Sequence, residues 1–152
     1  MNVLSKLDEM KIQYDIIEHQ PVYTVEDAYV VEGKIEGLPV KNLFLKDKNN
    51  NFYIYVLEDN KKADFKLLKE KLGTRLEFGT PEELFSKLKL YPGSVAPLGI
   101  INDNGSVKLI FDKDVVNKKI LIHPNRNTAT ISIEYVDLVK FLNLFKNSYT
   151  VV

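Results

Sequence analysis

Two asparagine-rich runs, Lys48-Asn49-Asn50-Asn51 and Asn102-Asp103-Asn104-Gly105, each divide a pair of short apolar segments. Asparagine, aspartate and glycine accept the positive φ that tight turns demand, and apolar runs on both sides mark paired strands. The pattern predicts two β-hairpins, Asn42 to Leu45 with Phe52 to Leu57, and Gly99 to Ile101 with Val107 to Phe111. An all-helical bundle is thereby ruled out.

Helical signals lie between these strands. Val3, Leu4, Leu7 and Met10 recur at helical spacing over residues 2 to 11. Tyr14 to Glu18 reads as a strand, ended by His19-Gln20-Pro21 because proline lacks a donor and restricts its neighbour. Thr24 before Glu26 and Asp27 predicts a helix start. Ala63 to Leu72 reads as a helix with Phe65, Leu68 and Leu72 on one face and Gly73 as its stop. Arg75 to Phe78 is a short strand. Thr80-Pro81-Glu82-Glu83 combines a threonine cap, a proline at the first position and a glutamate three residues after the cap. Leu84, Phe85 and Leu88 are expected to face inward. Lys119 to Ile122 and Ala129 to Ile133 are further strands, and Leu138, Phe141, Leu142 and Phe145 mark a last helix. The expected class is α+β (mixed α/β), with a central mixed, largely antiparallel sheet flanked by helices.

The length of 152 residues suits one domain, enough to bury roughly 70% of the unfolded surface. The 21 basic residues balance the 21 acidic ones. A nucleic-acid partner therefore has to be held by a local patch rather than by the whole field. The chain has no cysteine, which removes disulfides, thiolate metal sites and a cysteine nucleophile, and fits a reducing compartment. The N-terminal residues lack an apolar signal core, and no apolar run reaches the roughly 20 residues of a membrane span. A cytoplasmic protein is expected.

Familiar catalytic motifs are missing. His19 and His123 are the only histidines, too few for a multi-histidine metal site. Asp64, Asp112 and Asp114 form no metal-ligand pattern. There is no G-x-S-x-G elbow, no phosphate loop and no dinucleotide fingerprint.

Three segments remain, each with two readings. In Lys41-Asn42-Leu43-Phe44-Leu45-Lys46-Asp47 a lysine opens an apolar strand; it either places a positive charge at a pocket mouth or is a solvated strand end. Tyr91-Pro92-Gly93-Ser94-Val95-Ala96-Pro97-Leu98-Gly99 is a rigid loop poor in side chains. It either presents preorganised N–H donors to a developing oxyanion or is a plain structural turn. His123-Pro124-Asn125-Arg126-Asn127-Thr128-Ala129-Thr130 sets an imidazole, two amides, a guanidinium and two hydroxyls between apolar strands. It is either a functional loop or one closed by its own turn bonds.

Together, and in this order, these segments resemble the signature regions of the YbaK/prolyl-tRNA-synthetase-associated domain family. The likeness is greatest to its free-standing ProX/PrdX branch of editing proteins. His19-Gln20-Pro21-Val22-Tyr23-Thr24-Val25-Glu26-Asp27-Ala28 and Val136-Asp137-Leu138-Val139-Lys140-Phe141-Leu142 are similar to that branch's N-terminal region and last helix. The resemblance spans nearly the whole chain and implies one editing domain over residues 1–152.

The activity it implies is trans-editing: metal-independent, cofactor-free hydrolysis of the ester joining a wrong amino acid, alanine above all, to proline tRNA. A synthetase pocket shaped for proline admits the smaller alanine, because a missing methylene discriminates only weakly. A second site that takes alanine and is too small for proline completes a double sieve. By its motifs the resemblance makes Lys41, Gly93 and His123 the catalytic residues. Lys41 would hold the terminal ribose–phosphate or polarise the ester. The backbone of the Gly93 to Pro97 loop would stabilise the oxyanion, and His123 would orient substrate or water. Asn42, Ser94, Val95 and Asn125 would bind substrate, with Val22, Tyr23 and Val25 as apolar wall. Lys61, Lys62 and Lys66, in a lysine-rich stretch, are either a patch for tRNA phosphates or a solvated face. The implied partner is aminoacyl-tRNA, with prolyl-tRNA synthetase or an elongation factor as transient ones, and neither membrane nor DNA. Two other readings stay open: a deacylase for serine, cysteine or an analogue on another tRNA, and a non-catalytic module that senses an amino acid or charged tRNA.

Overall fold

Local chemistry starts and stops most of the elements. In the computed structural model, which describes residues 2–21 and 33–152, the Asn2 side chain accepts from the Leu4 N–H and so caps helix α1 (Val3–Glu9). Asp64 does the same for α2 (Phe65–Leu72), which ends at Gly73 with φ +72°. Thr80 and Glu83 form the expected capping box on α3 (Pro81–Leu88). A final helix, α4 (Tyr135–Leu144), buries Leu138, Phe141 and Leu142. The helix expected from Thr24 lies outside the described residues.

The strands are β1 (Tyr14–Glu18), β2 (Leu38–Lys46), β3 (Phe52–Glu58), β4 (Glu77–Phe78), β5 (Lys108–Phe111), β6 (Lys119–Ile122), β7 (Ala129–Glu134) and β8 (Tyr149–Val151). They form one mixed sheet in the order β1-β7-β6-β2-β3-β5-β8, with β4 paired to β2 at its side. The first expected hairpin, β2–β3, is antiparallel with Asn42 opposite Val56. The pairs β1–β7 and β6–β7 are also antiparallel. Three pairs are parallel: β2–β6, β3–β5 and β5–β8.

The second expected hairpin does not form. Pro97–Asn102 is a 3-10 helix, and β5 takes its partners from β3 and β8 instead. Proline opens this helix, Gly99 N–H donates to Ala96 O, and Asp103 N–H donates to Ile100 O, both at 3.0 Å. A Cβ on Gly99 would lie 2.6 Å from Leu90 Cδ1, so burial against α3 and the segment after it claims Leu98, Gly99 and Ile100. The turn chemistry survives as a loop: Gly105 has φ +88°, and Asn102 Nδ2 donates to Leu88 O at 3.0 Å. Strand β8, which the sequence does not announce, is exposed along its length.

Alternation along the strands sends side chains to two cores. Phe44, Ile54, Val56, Ile120, Ile122, Ile131 and Ile133 pack beneath α1, α3 and α4 in the larger one. Leu45, Tyr53, Tyr55 and Leu57 pack beneath Leu68 of α2 on the other face. Leu84 and Leu88 are buried on α3, each contributing roughly 1.5–3 kcal/mol. Phe85 does not join them; it is 43% exposed because the buried stripe of this short helix is only one leucine wide. No described helix is long and apolar enough to cross a membrane.

Candidate active site

The sheet opens along one edge of β2. That edge pairs with β6 through Leu38 and Pro39 and with β4 through Leu45 and Lys46. Between them, among the described residues, Val40 to Leu43 have no strand partner on that side. In the parallel register Leu38 faces Ile120 and Pro39 faces Leu121. Two residues further on, the same register brings Lys41 level with His123, where the two strands part. Diverging parallel strands leave a crevice at their carboxyl ends, the usual place for a ligand in such sheets.

Lys41 and Asn42 point to opposite faces. Lys41 sits opposite Leu57 and Asn42 opposite Val56 in an unbroken register. Asn42 therefore shares the face of the larger core, and Lys41 the face of Leu43 and Leu45. The half-buried Lys41 stands on the same side as Leu121, Thr130 and Ser132. Over β6, β7 and β1 that side is covered by no described helix. The Asn42 Oδ1 atom is buried with no hydrogen-bond partner among the described residues, as is Asn125 Oδ1.

His123 follows the last residue of β6 and is held by the start of β7. Its Nδ1 lies 2.8 Å from Ala129 O. A carbonyl only accepts, so Nδ1 carries the proton and Nε2 offers a lone pair in the neutral ring. Burial pushes the His123 pKa below its ordinary value, and the neighbouring His19 adds to the effect. The ring is therefore neutral at physiological pH.

His19, which sequence reasoning did not place in the site, stands beside it. The two imidazole centroids are 6.1 Å apart. His19 extends the β1–β7 ladder through a 2.9 Å bond from its N–H to Thr128 O. Its Nδ1 is 2.7 Å from Gln20 O, and its Nε2 is 2.8 Å from Thr130 Oγ1. Facing a carbonyl, Nδ1 donates, and in the neutral ring Nε2 then accepts from the threonine hydroxyl. The clue in the sequence was the histidine count: both imidazoles of the chain meet at one point. Arg126 braces the loop from outside, donating to Thr128 Oγ1 at 2.8 Å and to Glu18 Oε1 at 3.1 Å.

The glycine loop closes against this segment. Ser94 N–H donates to Tyr91 O at 3.0 Å, with Pro92 second and Gly93, φ +91°, third in the turn. That is the type II pattern, whose third position asks for glycine. A Cβ on Gly93 would lie 3.7 Å from Asn127 Nδ2, and Asn125 Nδ2 donates to Leu98 O at 3.3 Å. Two segments some thirty positions apart thus share one rim. Ser94 is buried and Val95 half-buried. Among the described residues, the N–H groups of Gly93 and Val95 donate to no other backbone carbonyl.

The remaining expected residues are placed as follows. Val22, Tyr23 and Val25 lie outside the described residues. Lys61 Nζ is engaged by Asp112 and Asp114, at 2.9 Å each, an arrangement that raises the lysine pKa. Lys62 and Lys66 are exposed. Among the described residues no group of three histidines, aspartates or glutamates is placed to hold a metal ion.

A lysine on the open edge of β2, a neutral imidazole with one open nitrogen and a glycine turn on a common rim match the segments of an editing domain. The chain belongs to the aminoacyl-tRNA editing domain family, whose profile matches residues 19–141. It is 40% identical to the prolyl-tRNA editing protein ProX of Acetoanaerobium sticklandii, over 97% of this chain and 92% of that one. It is 31% identical to prolyl-tRNA synthetase associated domain-containing protein 1 of Bos taurus, over 90% and 84% of the two chains. A solved structure described as a candidate trans-editing enzyme for prolyl-tRNA synthetase superposes with a TM-score of 0.77, covering 99% of this chain and 92% of that one at 18% identity. That last likeness concerns the fold. The family resemblance read from the sequence is borne out.

Proposed function

We propose that this protein is a cytoplasmic trans-editing deacylase, a single domain that hydrolyses alanine esterified to proline tRNA. The convergence of the Gly93 turn and the His123 segment, with the His123 ring fixed through Ala129, carries the reading. The family match and the name of the 40% identical relative support it.

The chemistry follows from the groups in place. Water adds to the ester carbonyl, and the tetrahedral oxygen takes the negative charge. N–H donors of the Gly93 to Pro97 loop meet that charge without reorganising, which removing one such donor elsewhere shows to be worth about 10²–10³ in rate. The His123 Nε2 accepts from the attacking water and aims it. Collapse of the intermediate expels the ribose oxygen, which leaves with the proton given up by the attacking water. Lys41 carries the one positive charge on β2 beside the crevice and holds the ribose–phosphate end. Asn42 and Asn125 each bring an amide oxygen with no partner among the described residues, an acceptor suited to the substrate's ammonium.

Purified protein is incubated with alanyl-tRNA of the proline isoacceptor, with prolyl- and alanyl-tRNA as correctly charged controls. Rapid alanine release from the first alone is the expected result. Release no faster than spontaneous hydrolysis refutes the reading.

A further inference from the structure

Leu88 and Leu90 are 0% and 2% exposed, whereas Tyr91 is 66% and Phe85 43% exposed. The buried leucines pin the chain on either side of Lys89, and Gly99 is seated against both of them. The outward residues between and after them are thereby displayed on a rigid base. Phe85 and Tyr91 rings lie 5.4 Å apart at 35°. Lys89 Nζ stands 5.1 Å over the Phe85 ring centroid.

Lys89 reaches that position at some cost. It closes α3 in the left-handed region, φ +57°, where a side chain other than glycine, asparagine or aspartate is disfavoured. Charge on α3 is segregated as well: Glu82 and Glu83 occupy its first turn, and Lys87 its last. The end nearer the catalytic loop is the cationic one.

Isolated exposed apolar residues are ordinary, but two aromatic rings in contact with a cation beside them form a defined surface. Its size matters. A stable protein interface needs about 800 Å² per partner, far more than two rings and a lysine supply. One nucleobase matches it. Base–aromatic stacking with a neighbouring cation is the general means of holding unpaired nucleotides, because every base has a π-face.

Position completes the case. The Tyr91 carbonyl accepts from Ser94 N–H at 3.0 Å, so the tyrosine is part of the Gly93 turn itself. Gly93 is two positions after Tyr91, at most about 7 Å between Cα atoms. In an aminoacyl-tRNA the ester is carried by the ribose of the terminal nucleoside, and its base lies one sugar's width away. We propose that Tyr91 and Phe85, with Lys89, form a stacking platform for the unpaired 3′-terminal adenine of the substrate. This rests on the deacylase reading of the adjoining loop and makes Tyr91 a substrate-positioning residue.

The test uses an uncharged RNA minihelix copying the acceptor stem of proline tRNA, with 2-aminopurine as its 3′-terminal base. Wild-type protein is expected to quench its fluorescence on binding. Tyr91→Ala and Tyr91→Leu, the second keeping apolar bulk without a π-face, are expected to lose most of that quench. With alanyl-tRNA they should raise KM about tenfold at unchanged kcat, the effect of one lost stack. Tyr91→Phe should retain both properties, which a merely structural loss would not. Wild-type quench and wild-type KM in Tyr91→Leu and Phe85→Ala, with unaltered thermal unfolding, would overturn the platform. The fluorescence arm uses uncharged RNA and reads the platform even if no alanine is released. Alanine release by the wild type judges the deacylase reading separately.

Discussion

His123 donates through Nδ1 to the Ala129 carbonyl at 2.8 Å, and Ala129 is the residue at which β7 begins. The imidazole is thus oriented by main chain at the base of a strand rather than by a carboxylate. A carboxylate partner would favour the charged ring, whereas a carbonyl in a buried setting leaves it neutral.

The pH consequence has a definite sign. The folded pKa of His123 lies below its ordinary 6.5, so below that pH the unfolded chain binds a proton that the folded chain resists. This contribution to stability is complete above about pH 6.5 and is lost as pH falls through the folded pKa. Thermal unfolding at pH 7.5 and pH 5 should show a larger loss for wild type than for His123→Gln. The acid limb of kcat/KM should lie below the ordinary imidazole range in the wild type.

Lys41→Ala should leave the fold intact, because the side chain is half-buried at an unpaired strand edge, and should lower deacylation more than a hundredfold. Lys41→Arg should recover little, since a broad planar guanidinium does not replace a compact ammonium. Single-turnover rates with matched circular dichroism spectra check this.

Gly93→Ala separates space from backbone. The added methyl would sit 3.7 Å from Asn127 Nδ2, an ordinary contact. The cost lies in φ +91°, about 1–2 kcal/mol for a residue with a Cβ. A turn that relaxes to avoid it carries the loop's N–H donors out of aim. Deacylation should fall at least tenfold, with a small drop in melting temperature. Wild-type turnover would show that the loop's conformation is not used.

The lysines near α2 should divide in two. Lys61→Met leaves the 2% exposed Asp112 without its partner and should destabilise by about 1–3 kcal/mol, below the fully buried case because the ammonium reaches solvent. Denaturant unfolding measures it. Lys62→Glu with Lys66→Glu should leave stability unchanged and weaken tRNA binding, with a shallower dependence on salt. An unchanged salt slope makes that face a solvated one.

Legibility followed the range of the forces involved. Elements set by local chemistry were readable: the Thr80–Glu83 capping box, the Gly73 stop and the β2–β3 hairpin. Elements decided by distant partners were not. The segment Gly99 to Ile101 reads as a strand until Leu88 and Leu90 are known to bury it, and β8 has no pattern of its own beyond its pairing with β5. At the site, motif likeness named Lys41, Gly93 and His123 without showing that the register of β2 and β6 sets the first level with the third. It paired Lys41 with Asn42 as neighbours in sequence, which the pleat separates. His19 escaped because a lone histidine at the end of a strand carries no signal until Thr130 is seen beside it.

Strand β2 is shared property: one edge is zipped to β3 without a break from Val40 to Lys46, and the other is held only at its ends. Because the pleat repeats every two residues, a slip of one position against β3 would exchange the faces of Lys41 and Asn42. A lysine would then be driven towards the isoleucines, and the proposed site would lose its cation. Mistranslated or half-folded copies in which this pairing has drifted would keep their strands yet be inert. Turnover is therefore a more exacting gauge of correct folding in this protein than any measure of secondary structure content.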